Sequence, residues 1–346
     1  MNLIDKTIEA TLDSSEYDYE FDYEELIVDC SSEYVIITVP VIFSVVFVFS
    51  LLGNSMVLVI LGLYESLKSI PNICIFNLAV SDLIFTLGLP FWSSSLVWGW
   101  RFGDVMCKSV NFAFSVGFCG SVMFLMVLTL QNYVAVLHPQ SEWSRVKQVG
   151  VISIFIWVVS FLAASSELLY SEVVLEISEN STKLNCVNTN SEPHRSRVYR
   201  NLIFVFCFLV TGFCSSRILL TFSRFLTNTT NSTNISSIRS SIRLVLCLVL
   251  LFFVFSAPYN IMTLLKPLMF DHITACDDYY VNFEFALMVF RLLAYSHCCL
   301  NPAIYILTEK KFRDHLRTLQ QKILQQQINR ESNQMEMEET NSYISV

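Results

Sequence analysis

The stretch "CKSVNFAFSVGFCGSVMFLMVLTLQNYV", residues 107–134, decides the fold of this chain. After Lys108 it carries no charged side chain and is dominated by Val, Leu, Phe and Met. A helix needs about 20 mostly apolar residues to cross a hydrocarbon core of roughly 30 Å, and this run exceeds that. Six further apolar blocks lie near residues 35–61, 73–97, 149–168, 199–222, 243–265 and 282–307. Strands of a membrane barrel would alternate in polarity over short segments, a pattern the sequence does not show. The sequence thus predicts an all-α membrane protein, a seven-transmembrane helix bundle.

Composition agrees. The 346 residues are 53% hydrophobic and 15% charged, against about 25% charged in soluble domains. With the N-terminus outside, 13 of the 22 basic residues fall in inner segments, among them Arg145, Lys147, Arg239, Arg243, Lys310, Lys311 and Arg313. That bias has the expected sign for a multi-pass membrane protein with an outer N-terminus. Residues 1–34 form an outer tail, 35–307 the membrane domain, and 308–346 a short amphipathic eighth helix with an inner tail. The tail holds no apolar leader, so the first block is expected to act as its own insertion signal.

The outer tail has 11 acidic residues and one lysine, while the whole chain nets −8, so the rest of the protein is slightly basic. Its segment "EYDYEFDYEE" sets Tyr17, Tyr19 and Tyr23 among carboxylates, where tyrosine sulfation would add further charge. Such a tail either solvates the chain as a disordered segment or steers a basic protein ligand toward it. It does not suit nucleic acid.

Four of the 11 cysteines, Cys30, Cys107, Cys186 and Cys276, fall in outer segments. Two disulfides are expected there, with three possible connectivities. Pairing Cys107 with Cys186 would tie the long loop between the fourth and fifth spans over the bundle mouth. Asn180 heads a glycosylation sequon in that loop, whereas the sequons at Asn228, Asn231 and Asn234 fall inside and would be silent in this topology.

Several short signatures coincide in register: "GNSMVLV" with Asn54, "LAVSDLIF" with Asp82, Trp157, Pro258, and "NPAIY" at 301–305. Together they resemble the rhodopsin-like (class A) G-protein-coupled receptors over residues 35–320. Within that family "PFW" (90–92), "WRFGDVMCK" (100–108), "APYN" (257–260) and "SHCCLNPAIY" (296–305) are similar to chemokine receptors. "YESL", "WGW" and "RLLAYSHCC" are most similar to the lymphotactin (XC-class) branch. The resemblance implies disulfides Cys107–Cys186 and Cys30–Cys276 and a chemokine ligand. Signalling partners would be a heterotrimeric G protein and arrestin, in a setting of membrane lipid.

The expected mechanism has two contacts: the acidic tail holds the ligand's folded body, and the ligand's N-terminus enters the bundle. Pocket candidates are Trp92, Phe114, Glu167, Tyr259, Glu284 and Arg291. An arginine within a span costs about 2.5–3.5 kcal/mol to insert, so Arg291 should face a cavity or a partner. It either meets ligand or pairs within the protein with Glu284 or Glu167. Asp82, Asn54, Ser121 and Asn301 match the family's sodium and water pocket. Oxygen donors suit a small hard cation, although a hydrogen-bond cluster without an ion would also join the helices there. No other cofactor is expected, and no catalytic signature occurs, so the chain is not expected to be an enzyme.

The inner end departs from the family. The segment "LTLQNYVAVLHP" (128–139) has Gln131, Asn132 and Tyr133 where the family usually places an acid, an arginine and an aromatic. An amide cannot reproduce the five donors of a guanidinium. Ser256 stands two positions before Pro258, where a tryptophan switch is usual, and the fifth span has Thr211 and Gly212 near its customary proline. Tyr305 of the seventh span is retained. Residues 308–346 contain no cysteine for a palmitate anchor but do contain Ser332, Thr340, Ser342 and Ser345 beside acids. Three outcomes are therefore expected: a signalling receptor with altered contacts, an atypical scavenger or decoy receptor that binds without G-protein output, or a decayed duplicate.

Overall fold

The computed structural model describes residues 33–65, 69–137, 146–177, 182–188, 194–228, 233–269 and 278–344. Tyr17, Tyr19, Tyr23, Cys30, Asn180 and Cys276 lie outside the described residues. In chain order the helices are α1 (Glu33–Tyr64), α2 (Ile70–Thr86), α3 (Leu89–Trp98), α4 (Gly103–Leu137) and α5 (Val146–Tyr170). The strands β1 (Ser171–Ile177) and β2 (Thr182–Asn188) follow. Then come α6 (His194–Asn228), α7 (Thr233–Met269), α8 (Asp278–Tyr295), α9 (His297–Thr308) and α10 (Lys310–Ile344).

All seven apolar blocks become crossings. Six are Thr38–Tyr64, Ile70–Trp98, Gly103–Leu137, Val149–Tyr170, Arg200–Thr221 and Ser240–Lys266. The seventh is a pair, Phe285–Tyr295 with His297–Thr308, bent by 41° at Ser296. Large apolar side chains such as Phe49, Leu52, Phe155, Leu162, Leu209 and Leu250 point outward, as they would toward lipid tails. The hairpin of β1 and β2 is the one departure from an all-helical expectation among the described residues; the sequence suggested only a long loop there.

Helix contacts follow from small and polar side chains, because burial of apolar surface gives little preference for one helix face over another in lipid. α2 and α4 approach closely along Gly117 and Gly120. A Cβ added at Gly117 would stand 2.8 Å from the Ser81 carbonyl oxygen. Trp157 Nε1 donates to Asn77 Oδ1 at 2.9 Å, joining α5 to α2. Asn54 Nδ2 donates to the carbonyls of Ser50 at 3.0 Å and Cys298 at 2.8 Å, joining α1 to α9.

Two apolar clusters fill the interior. The inner one gathers Val57, Leu78, Leu128, Leu248 and Tyr305. The outer one gathers Phe43, Phe85, Phe114, Trp100 and the Cys107–Cys186 pair.

Candidate functional site

The outer mouth is built around the hairpin. β1 and β2 pair antiparallel with Val173 opposite Cys186, and the disulfide from Cys186 to Cys107 fixes the hairpin to the outer end of α4. The loop "WGWRFGD" supplies the other fastenings. Trp100 is buried, its Nε1 donates to the Gly103 carbonyl at 3.0 Å, and its backbone N–H donates to Leu184. Asp104 accepts from the Val173 N–H at 3.2 Å and pairs with Lys108 at 3.0 Å. Asn111 Nδ2 donates to the Ser171 hydroxyl at 3.1 Å.

Beneath the hairpin runs an aromatic wall. Phe114 stacks on Tyr295 at 5.5 Å, meets Phe85 edge-on at 4.9 Å and meets Trp92 at 6.2 Å. Tyr295 in turn meets Tyr259 edge-on at 6.2 Å. The Arg291 guanidinium carbon lies 5.5 Å from the Trp92 ring and 5.7 Å from the Tyr259 ring, within reach of both π faces. Trp92, Phe114, Tyr259 and Arg291 are thus brought together.

Glu167 sits apart from Arg291 in its pairing: its carboxylate lies 3.6 Å from Arg200 on α6. Glu284 lies on α8, but its side chain is outside the described part, so the Arg291–Glu284 expectation stays where the sequence left it. Sequence reading missed Arg200 and Tyr295. Arg200 begins an apolar block, where a basic residue ordinarily marks a headgroup boundary. Only the fold turns it inward, beside the Glu167 carboxylate.

Deeper in the bundle, Asp82 is fully buried. It accepts from the Ser121 hydroxyl at 2.7 Å and from Asn301 Nδ2 at 2.7 Å, one donor per carboxylate oxygen. His297, which sequence reading also missed, places Nε2 3.9 Å from Asp82 within a surround of Phe85, Phe118 and Phe252. Asn54 does not join this cluster: its amide nitrogen serves α1 and α9, and its Oδ1 has no partner among the described residues. Among the described residues no group of three or more His, Cys, Asp or Glu side chains could hold a metal ion.

Residues 53–305 match the family model described as 7 transmembrane receptor (rhodopsin family). The chain is 34% identical to human "Chemokine XC receptor 1" over 281 residues, which covers 80% of this chain and 79% of that protein. It is 31% identical to human "C-C chemokine receptor type 4", with 89% and 86% covered. It is 33% identical to rat "CX3C chemokine receptor 1", with 90% and 86% covered. The chain belongs to the chemokine receptors of the rhodopsin family. It is a multi-pass plasma-membrane receptor, and the family is not enzymatic.

At the receptor's inner end Asn132 is buried, and its Nδ2 donates to the Leu128 carbonyl of its own helix at 2.9 Å. Gln131 Nε2 is buried and has no hydrogen-bond partner among the described residues. Tyr133 packs toward Phe213 of α6, with ring centroids 6.3 Å apart. Ser256 is fully buried on α7, which continues through Pro258, and Asn260 Nδ2 donates to its carbonyl at 2.8 Å. Tyr305 is buried against Phe312. α6 runs unbroken past Thr211 and Gly212, as a span without proline should.

Proposed function

We propose that the receptor binds a basic chemokine at the cell surface, with an XC-class ligand favoured. The observation that carries this reading is the pairing of an acidic outer tail with an aromatic pocket beneath a fastened hairpin. The tail supplies long-range attraction to a basic protein. The wall of Trp92, Phe114, Tyr259 and Tyr295 supplies large, rigid apolar contact for a segment entering the bundle, and Arg291 and Glu167 set its charge. Sulfation at Tyr17, Tyr19 and Tyr23, a Cys30–Cys276 disulfide and a glycan on Asn180 belong to the same reading.

The cluster of Asp82, Ser121 and Asn301 would suit sodium through the Asp82 carboxylate and the Ser121 hydroxyl oxygen, which converge in a buried place, with Asn301 Nδ2 holding the second carboxylate oxygen. Asn54 would contribute through water from its unpartnered Oδ1.

We infer that G-protein output is reduced while binding is retained. Asn132 offers an incoming G protein no cation, and its amide is already committed to Leu128. Ser256 places a small hydroxyl where the family's switch needs a large ring. The second reading, an atypical scavenger or decoy receptor, rests on these same departures. A panel of labelled chemokines, read in parallel for binding, uptake, arrestin recruitment and G-protein dissociation, separates the two. Robust dissociation in the unmodified receptor would sink the reduced-output reading; binding of no chemokine would sink both.

A further inference from the structure

Among the described residues neither Gln131 nor Asn132 bonds to α7, yet α7 is not left loose at its inner end. Ser240 and Arg243, three residues apart and therefore on one face of α7, both reach the junction between α9 and α10. The Ser240 hydroxyl lies 3.0 Å from Glu309 Oε1 and 3.3 Å from the Thr308 carbonyl. Having a single proton, it donates chiefly to the nearer and charged acceptor. Arg243 Nη2 donates to the Thr308 carbonyl at 3.2 Å.

The junction has a reason to recruit donors. The last carbonyls of a helix have no partner within it, and they carry the negative end of the helix dipole. α9 stops at Thr308 because Glu309 turns to extended backbone, φ −103° and ψ 111°. Arg313 of α10 takes up the Ile306 carbonyl at 2.9 Å and the Leu307 carbonyl at 3.2 Å. The Thr308 carbonyl is taken up by Arg243 and Ser240, which belong to a different span. One helix end is thus finished by two arginines, and one of them ties it to α7.

We propose that Ser240, Arg243, Thr308 and Glu309 form an inner clasp that holds α7 against the end of α9 and keeps the inner face of the receptor closed. Among the described residues it is the tie that reaches the inner end of α7, where Gln131 and Asn132 make none. An outward movement of the inner end of α7 breaks all of these contacts together, and it leaves the Thr308 carbonyl without its donors.

The test needs no ligand and no G protein, so it stands or falls apart from the proposed function. Spin labels at Ala135 on α4 and Ser236 on α7 report the opening of the inner face in full-length receptor held in lipid nanodiscs. Ser240→Ala with Arg243→Ala should raise the long-distance population about tenfold, the scale of one charge-assisted hydrogen bond. Ser240→Thr, which keeps the hydroxyl, should leave the distances as they are. Ser240→Ala and Glu309→Ala should be less than additive, because they remove the same bond. Should the double alanine variant fail to fold, Glu309→Gln decides instead, weakening the acceptor while keeping its shape. A distance distribution unchanged in the folded alanine variant, or in Glu309→Gln where that is the variant measured, overturns the clasp.

Discussion

Arg200 lies 3.6 Å from the Glu167 carboxylate, joining α6 to α5 by charge beside the aromatic wall. The Glu167 side chain is about a tenth exposed and the Arg200 side chain about a quarter, so solvent screens the pair only in part. Glu167→Gln removes the carboxylate charge and leaves the Arg200 guanidinium only partly solvated. A loss of about 1–3 kcal/mol is expected. Replacing both, with Glu167→Gln and Arg200→Met, should return part of it. Thermal unfolding of the purified receptor measures this; a double variant as unstable as the sum of the singles would count against direct pairing.

The hairpin depends on Gly99. Its φ is +69°, and a Cβ there would stand 3.1 Å from the Leu184 carbonyl oxygen. Gly99→Ala is therefore strained twice, by backbone and by contact, at a cost of about 1–3 kcal/mol. The damage should be local. Surface delivery of the receptor should hold up while chemokine binding falls, read by flow cytometry with a tail-directed antibody and labelled ligand.

Asp82 accepts one hydrogen bond on each carboxylate oxygen. Asp82→Asn turns one acceptor into a donor facing Ser121 or Asn301, which have already committed theirs. Ligand affinity measured in sodium chloride and in choline chloride should differ for the parent receptor and coincide for the variant. A persistent difference would place the sodium effect elsewhere.

Asn132→Arg restores a guanidinium at the inner face, and with Ser256→Trp it should gain G-protein dissociation. The two changes are unequal in cost. Asn132 is 9% exposed, at the edge of the bundle, whereas Ser256 is fully enclosed. A tryptophan forced into that space should overpack it by about 1–3 kcal/mol. The single Asn132→Arg receptor is expected to express normally and the double one poorly, and dissociation should be counted per receptor at the surface. No gain in either would place the block in α6 or in the clasp.

The crossings were legible because a 20-residue apolar run leaves little choice in a bilayer, and their observed ends fall within a few residues of those read from the sequence. The Asp82 cluster was legible in part. Ser121 and Asn301 reach the carboxylate, but Asn54 turns to Cys298 and His297 takes a place beside Asp82. Nothing local to "SHCCLNP" says where the histidine ring points, because the 41° bend at Ser296 sets its direction. Arg200 and the clasp were invisible for a related reason. Each joins residues more than 30 positions apart through one hydrogen bond or ion pair, and such pairs leave no periodicity to read.

α10 extends the last consequence. It runs as one helix from Lys310 to Ile344, 35 residues, or about 50 Å at 1.5 Å per residue. Ser332 sits 22 residues beyond its start, about 33 Å along that rod, and its hydroxyl donates to the Ile328 carbonyl at 3.0 Å. A kinase must therefore draw that hydroxyl off its own helix before modifying it. A protein that reads the resulting phosphate while seated in the bundle's inner opening must either span the length of the rod or unwind it.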